Sequence, residues 1–282
     1  MIPDFASVTP LVCIGGGNMA QALIQGWLNH GLPASRLHVV EPNADLRQRL
    51  QAQHRLHVHA DASTAPTDAA FVLWAIKPQI FQSVAQPLAG RFASALHLSV
   101  AAGVRSDSLA RWLGTQKVVR AMPNTPALIG LGQTGLFARA DVTESEKTRV
   151  QELMQSIGES LWLADESLMD AVTALSGSGP AYVFYFIESL IHAGVGMGLD
   201  ANQARQLAIG TVVGAAALAQ RGPDSPQTLR EKVTSQGGTT HAAITQMQAD
   251  GFLGLLENAL RAAQKRSLEL GVSLDQPPEK HG

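Results

Sequence analysis

The sequence has one cysteine and few charged side chains. Cys13 has no second cysteine with which to form an internal disulfide, which fits a reducing compartment. Its place in the apolar run 11–14 predicts a small, buried side chain in a strand. Charged residues make up 16 % of the 282 residues and the formal net charge is −2, so the sequence lacks a basic face for nucleic acid or anionic lipid. We expect small molecules or further copies of the chain as partners, with no nucleic acid and no membrane.

Long apolar segments are also missing. The longest charge-free, mostly apolar run in the second half covers residues 206–220, which is shorter than the roughly 20 residues that a membrane-spanning helix needs. The first residues lack the basic segment and the apolar stretch of a signal peptide. These absences predict a soluble, cytoplasmic protein.

The first half of the chain alternates between two kinds of segment. Short apolar runs rich in β-branched residues are separated by amphipathic stretches such as 19–29 and 45–53, which predict helices. The predicted strands are 8–14, 37–40, 70–76, 97–101 and 118–121. This alternation predicts an α/β fold with a doubly wound, mostly parallel sheet that helices cover on both faces.

The second half reads almost entirely as helix. Thr143, followed three residues later by Glu146, has the spacing of a capping box and predicts a helix start. A short strand is predicted at 160–163, and from Asp165 onward strand signals disappear. The predicted organisation is an α/β domain over 1–165, an all-helical domain over 166–275 and an unstructured tail over 276–282.

Two segments of the helical region have more apolar surface than one chain can cover. The helix that begins at Pro180 is apolar almost all the way round, and the segment 204–220 is crowded with alanine and glycine. We expect a second subunit to cover both segments. The alternative is a tight monomeric bundle.

Three consecutive glycines follow the first predicted strand and lead directly into a helix. In the pattern Gly15-x-Gly17-x-x-Ala20, the first glycine makes the tight turn, and the second lets the backbone approach a pyrophosphate. The third small residue lets the helix pack on the strand. The residues predicted to bind a dinucleotide here are Ile14, Gly15, Gly16, Gly17, Asn18 and Met19. The alternative is a glycine turn with a purely structural role.

Glu41 follows the second strand directly. An acidic residue in this position usually accepts hydrogen bonds from the adenosine ribose, which favours NADH over NADPH. Arg47 and Arg49 lie close by in the sequence, and an arginine there could pair with a 2′-phosphate. The sequence therefore predicts NADPH or NADH as cofactor and leaves the choice open. The alternative for Glu41 is a solvated carboxylate at a strand end.

The ends of the next three strands supply further candidates, because ligands collect outside the carboxyl ends of strands in an open parallel sheet. The residues predicted to bind the cofactor there are Ala75, Lys77, Pro78, Ala101, Gly103 and Asn124. A surface charge is the alternative for Lys77, and ordinary turn chemistry is the alternative for the segments 101–103 and 122–126. No metal site is predicted, because the spacing of His54, His57 and His59 indicates a polar helix end and an exposed strand.

Taken together, the motifs resemble the pyrroline-5-carboxylate reductase family. The blocks that carry the resemblance are IGGGNMAQALIQG, AIKP, SVAAGV, RAMPNTPALIGLG, DAVTALSGSGPAYVF and VTSQGGTTHAAI. They stand in the family's order and span residues 11 to 270, which is nearly the whole chain. SGSGPAY and TSQGGTT are far more specific than the glycine pattern, which many unrelated oxidoreductases share.

The resemblance implies a Rossmann domain followed by an all-α dimerisation domain whose helices interleave between two subunits. It implies the reduction of 1-pyrroline-5-carboxylate to L-proline by hydride transfer from NADPH or NADH, the last step of proline biosynthesis. Members often assemble their dimers into larger rings, commonly decamers.

The resemblance also assigns residues to the substrate. These residues are Ser235, Gly237, Gly238, Thr239, Thr240 and Ser178. The loop 235–239 would hold the substrate carboxylate, and the Thr240 hydroxyl, the one catalytic group, would contact the ring nitrogen. The double glycine before a helix with free amides also suits a small anion on physical grounds. The alternative is ordinary capping of that helix by Thr239 or Thr240.

Two residues depart from the family pattern. Gln236 stands where many members have proline or asparagine, and Glu41 stands where members that prefer the phosphate often have a small neutral residue. A reductase of another small imine or keto acid is one rival interpretation. A non-catalytic redox sensor that binds the cofactor is the other, although a sensor has no need of the carboxylate loop.

Overall fold

The computed structural model describes residues 10–275. The predicted tail 276–282 and the first two residues of the predicted strand 8–14 lie outside the described residues. Packing divides the chain into two compact units. The first comprises the described residues of Met1–Ser178 and Ala263–Gly282, and the second is Gly179–Ala262.

The first unit is built on one sheet. Its strands are β1 (Leu11–Ile14), β2 (Leu37–Val40), β3 (His57–His59), β4 (Phe71–Trp74), β5 (Leu96–Ser99), β6 (Val118–Met122), β7 (Gly132–Ala138) and β8 (Gly158–Trp162). They lie in the order β3-β2-β1-β4-β5-β6-β7-β8. Neighbouring strands are parallel except β6 and β7, which are antiparallel. The strand order reverses between β1 and β4, and in such sheets this point opens a crevice at the carboxyl ends of the strands.

The helices follow the sequence pattern closely. They are α1 (Asn18–Asn29), α2 (Ala44–His54), α3 (Pro78–Ala85), α4 (Ser106–Leu113), α5 (Glu144–Gln155), α6 (Leu168–Val172), α7 (Gly179–Gly196), α8 (Ala201–Arg221), α9 (Pro226–Lys232), α10 (Thr239–Ala249) and α11 (Phe252–Asp275). The second unit contains α7 to α10 and the start of α11, whereas the end of α11 belongs to the first unit.

Each face of the sheet has its own core. Leu11 and Cys13 of β1 pack with Trp27 on one face, and Val12 and Ile14 pack with other residues on the opposite face. This alternation follows from the two-residue period of a strand, and burial of both faces explains why β1 is apolar throughout. Cys13 is fully buried, as its apolar run predicted, and burial raises the pKa of its thiol.

The predicted class of fold is confirmed, although the prediction missed one strand. Thr143 and Glu146 form the predicted capping box at the start of α5. The predicted strand 160–163 is observed as β8, two residues earlier at its start. β7 was not predicted as a strand, because it contains two glycines, which weaken its strand signal. β3 is the exposed strand that the spacing of His57 and His59 indicated.

The division by packing differs from the predicted domain boundary at 165. Met169 of α6 is buried, and a Cβ added to Gly135 of β7 would lie 2.7 Å from Val172 Cγ1. The end of α11 also belongs to the first unit, where Ser267 Oγ donates to Asp170 Oδ1 at 2.6 Å. Segments on both sides of the second unit therefore pack with the sheet. The domain limits 1–165 and 166–275 stay a prediction.

The second unit leaves much of its apolar surface uncovered within one chain. On α7, Phe184 and Tyr185 are 60 % and 71 % exposed. On α8, Val213 and Leu218 are 63 % and 67 % exposed. None of the helices within residues 10–275 has the length and hydropathy needed to cross a membrane.

A neutral histidine is buried in the first unit. His97 of β5 is 3 % exposed. Trp74 Nε1 donates to its Nδ1 at 3.0 Å, so Nε2 carries the hydrogen and donates to Phe92 O at 3.2 Å. Burial lowers the pKa of His97 from its ordinary 6.5 to about 4.

Acidification from pH 6.5 to 4 is therefore expected to destabilise the protein. In this window the unfolded chain binds a proton at His97 and the folded protein does not, so the free energy of unfolding falls as the pH falls. A shift of this size is worth on the order of 3 kcal/mol. His97→Gln keeps an acceptor for Trp74, and its thermal midpoint should fall less over this range than that of the wild type. Parallel falls in both proteins would show that His97 does not contribute.

Candidate functional site

A cavity of about 680 Å³ opens at the carboxyl ends of β1, β2 and β4, where the strand order reverses. Its lining residues come from the glycine loop, the two strand ends beside it, the segment after β3, and α3 with the turn that follows it. They are Ile14, Gly15, Gly17, Val40, Glu41, Pro42, Ala60, Asp61, Ala62, Ala75, Ile76, Lys77, Ile80, Ser83, Val84, Pro87 and Leu88. Six residues predicted to bind a cofactor are therefore gathered around one cavity.

The three glycines have three different neighbours. Gly15 has φ +97°, and an added Cβ would lie 2.6 Å from Ala75 O. At Gly16 an added Cβ would lie 2.8 Å from Leu50 Cδ1. At Gly17 it would meet no protein atom within 4 Å. Packing of the protein therefore explains the first two glycines, whereas Gly17 faces open space in the cavity.

The start of α1 presents backbone donors to this space. Gly17 is the N-cap residue of α1 and has no side chain with which to cap the helix. No acidic residue lies in the first turn. The first amides of a helix have no intrahelical acceptor and lie at the positive end of its dipole. Together with the open space at Gly17, they suit the pyrophosphate of a dinucleotide.

Glu41 joins the second strand to the glycine loop. Gly16 N donates to its Oε2 at 3.0 Å, and Asn43 N donates to its Oε1 at 2.9 Å. This carboxylate is held by the loop, in contrast to the solvated strand end that was the alternative. Each oxygen keeps a lone pair that can accept a hydroxyl hydrogen, so Glu41 can bind ribose while it holds Gly16.

Arg47 supports the same turn. Its Nη1 donates to Glu41 O at 2.8 Å and to Pro42 O at 2.7 Å. One end of the guanidinium group is thus already used to hold the backbone next to Glu41. This is a structural role beside the cavity.

Lys77 also lines the cavity. It is the N-cap residue of α3, Pro78 is the first residue of that helix, and the Lys77 side chain is exposed. Among the lining residues Lys77 carries the positive charge, and Glu41 and Asp61 carry the negative charges. The lysine is therefore available to the phosphates of a bound dinucleotide.

The prediction from sequence missed the lining residues on α3 and the turn that follows it. The spacing places four of them on one helical face, since Ser83, Val84 and Pro87 follow Ile80 by three, four and seven positions. This periodicity is a signal that could have identified them from the sequence.

Ala101 and Gly103 do not line this cavity. Ala101 is buried in the core. Gly103 has φ +77°, and an added Cβ would lie 3.5 Å from Leu270 Cβ, so its turn lies against α11. Their assignment to the cofactor stays a prediction, and the structure supplies a packing reason for Gly103.

Asn124 also lies outside the lining, and its side chain contacts two other segments of the first unit. Asn124 Nδ2 donates to Ser176 O at 3.0 Å. Gln133 N donates to Asn124 Oδ1 at 2.9 Å. Ser176 belongs to a π-helical turn, Thr173–Gly177, which ends where Ser178 N donates to Thr173 O at 2.8 Å.

The predicted substrate loop lies in the second unit, between α9 and α10. Gly237 has φ +75°, and Gly238 N donates to Ser235 O at 3.0 Å. Gly238 is the N-cap residue of α10 and has no side chain with which to cap the helix. Thr239 and Thr240 are the first two residues of the helix and do not cap it, so the capping alternative is wrong. The first amides of α10 remain available to a small anion.

Among residues 10–275, no three His, Cys, Asp or Glu side chains are placed so that they could hold a metal ion together. His57 and His59 lie on β3 beside His38 of β2. His38 Nδ1 lies 3.1 Å from His59 Nε2, which makes a hydrogen bond. Burial and the neighbouring His57 and His59 lower the pKa of His38 to about 4, so its ring is neutral at ordinary pH.

Two family models match the chain. The one described as pyrroline-5-carboxylate reductase dimerisation matches residues 166–270. The one described as NADP oxidoreductase coenzyme F420-dependent matches residues 10–103, the part that contains the cavity's glycine loop.

Similar proteins cover almost the whole chain. A pyrroline-5-carboxylate reductase from Pseudomonas aeruginosa is 42 % identical over 95 % of this chain and 99 % of its own. A pyrroline-5-carboxylate reductase structure from Coxiella burnetii has a TM-score of 0.89 at 34 % identity and covers 94 % of this chain and 99 % of its own. The Plasmodium falciparum pyrroline carboxylate reductase, solved with NADP bound, has a TM-score of 0.83 at 28 % identity, over 94 % of this chain and 98 % of its own.

Proposed function

The chain belongs to the pyrroline-5-carboxylate reductase family, and we propose from this premise that it reduces 1-pyrroline-5-carboxylate to L-proline, the last step of proline biosynthesis. NADPH or NADH supplies the hydride when bound. The observation that carries the proposal is the cavity at the strand reversal, where Gly17 and the start of α1 leave room and donors for a pyrophosphate.

Residues at the cavity have distinct roles toward the cofactor. The amides of Asn18 and Met19 bind the pyrophosphate, with Ile14, Gly15 and Gly16 shaping the turn below it. Lys77 adds a positive charge to the lining of the cavity. Ala75 and Pro78 place Lys77 there, because Ala75 directly follows β4 and Pro78 begins α3.

The substrate end of the reaction needs few groups. Ser235, Gly237, Gly238 and Thr239 hold the substrate carboxylate with the free donors at the start of α10. The Thr240 hydroxyl orients the ring nitrogen and relays a proton from water to it, so the hydroxyl is intact again once the amine has formed. Ser178 and the small residues around it leave space for the flat reacting rings.

Steady-state oxidation of NADPH, and separately of NADH, by the purified protein with 1-pyrroline-5-carboxylate tests the proposal. Turnover with either cofactor supports it. Binding of cofactor without turnover would contradict it, and faster reduction of a six-membered cyclic imino acid would move the assignment to another imine reductase.

Glu41→Gln is expected to shift the cofactor preference toward NADPH. The carboxylate repels a 2′-phosphate, whereas the amide keeps its one acceptor oxygen for Gly16 N and gives up the bond from Asn43 N. We expect the ratio of kcat/KM with NADPH to that with NADH to rise about tenfold. Asp45→Asn, which removes a charge from the exposed first turn of α2, is the matched control. An unchanged ratio in Glu41→Gln would remove Glu41 from cofactor selection.

The protein is a homo-oligomer, since the dimerisation family covers its helical region. We propose a homodimer through this region, in which the partner covers the exposed faces of α7 and α8. The dimers assemble into a larger ring such as a decamer, and the protein works in the cytoplasm. Light scattering of the purified protein distinguishes two subunits from ten.

A further inference from the structure

Asn124 continues the sheet beyond the end of β6. Met122 pairs with Gly135 in the antiparallel register, so the same register would place Pro123 opposite Thr134 and Asn124 opposite Gln133. The Gln133 amide donates to the side-chain oxygen of Asn124 at 2.9 Å. The side chain thus takes the place of a main-chain acceptor after Pro123 has interrupted the strand.

The other end of the Asn124 side chain binds a carbonyl whose α-helical hydrogen-bond partner would be a proline. In an α-helix, Ser176 O would accept from the amide four residues later, and that residue is Pro180, which has no N–H. Asn124 Nδ2 donates to Ser176 O instead, at 3.0 Å. Asn124 is only 7 % exposed, so water cannot easily replace either bond.

The turn that Asn124 holds has little freedom to move toward the sheet. A Cβ added to Gly177 would lie 2.5 Å from Met122 Cε, so the turn rests directly on the last residue of β6. The wide π-helical winding over Thr173–Gly177 brings Ser178 to the end of the turn. Such single π turns occur frequently at functional sites.

We propose that Asn124 is a positioning residue: it holds residues 176–178 in place through Ser176 and does not itself bind the cofactor. The inference rests on the proposed function, in which Ser178 and its neighbours border the reacting rings. A displacement of about 1 Å near reacting atoms can reduce a rate by about 10²-fold, so a single lost hydrogen bond here matters.

Asn124→Asp tests the bond to Ser176, because an ionised aspartate keeps the acceptor for Gln133 and presents an oxygen in place of an N–H to Ser176 O. We expect kcat to fall about thirtyfold and the Kd for NADPH and for NADH, measured by titration, to stay within about twofold. Asn29→Asp, the same substitution in an exposed hydrogen bond with Gln25, is the control and should keep both values. A weaker cofactor Kd with unchanged kcat would overturn the proposal, because it would make Asn124 a cofactor ligand.

A double-mutant cycle with Pro180→Ala provides a second test, because it compares the effect of Asn124→Asp on kcat in two backgrounds. Alanine restores an N–H at position 180, which can donate to Ser176 O. Asn124→Asp should therefore cost several-fold less kcat in the Pro180→Ala background than in the wild type. Equal losses in both backgrounds would overturn the proposal.

Different results would contradict the proposed function and the positioning role of Asn124. A wild-type protein that does not turn over 1-pyrroline-5-carboxylate contradicts the proposed function. A wild-type protein that does so, with kcat unchanged in Asn124→Asp, contradicts only the positioning role.

Discussion

Gly17→Val is expected to weaken NADPH and NADH binding by at least about a hundredfold, which corresponds to about 2.7 kcal/mol. Gly17 has φ −66° and ψ −177°, which any residue can adopt. An added Cβ meets no protein atom within 4 Å, so the substitution should not disturb the fold. The valine methyl groups would occupy the space that the pyrophosphate needs at the start of α1.

Titration with each cofactor, together with a thermal unfolding curve, checks this expectation. Gly17→Ala should show an intermediate loss of affinity and Gly17→Val the full loss, with both midpoints close to that of the wild type. Gly15→Ala is the contrasting control and should destabilise the protein, because its Cβ would lie 2.6 Å from Ala75 O. Normal cofactor binding by a folded Gly17→Val protein would refute the assignment of this loop.

Thr240→Val is expected to lower kcat by about a hundredfold and to leave the cofactor Kd unchanged. Valine has nearly the shape of threonine and lacks the hydroxyl, so the effect reports on that group. Gly238 caps α10 in place of either threonine, so loss of the Thr240 hydroxyl should not remove a helix cap. The loss should therefore appear in turnover and not in stability.

Thr240→Ser restores the hydroxyl and should recover most of the rate. Thr245→Val, the same substitution further along α10, should keep the wild-type kcat. If Thr240→Val turned over at the wild-type rate, Thr240 would have no part in the chemistry.

The cofactor loop could be predicted from the sequence because its signals are local. A buried strand, a tight glycine turn and a helix follow one another within residues 11–29, and each depends mainly on its own backbone. The family is confirmed for a related reason, since its signature blocks are short and contiguous. The roles of the individual site residues stay predictions, which the variants above test.

Other positions could not be read from local sequence. Gly103 was assigned to a cofactor turn, and only the structure shows that α11 packs against it. Asn124 was also assigned to the cofactor, and only the structure shows that its side chain reaches Ser176, 52 residues away. β7 has a weak strand pattern and is ordered by its pairing with β6 and β8.

The sequence alone therefore determined the alternation of strands and helices, the glycine turn, the capping box and the family. These features arise from hydrophobic periodicity and from hydrogen bonds between residues close in the chain. Tertiary structure alone decided which glycines pack against protein and which faces the cavity, and how Asn124 binds the turn before α7. It also brought Ser108 to Asp275 at the end of α11, 167 residues away. Such contacts join segments that no local pattern relates, so they follow only from packing of the whole chain.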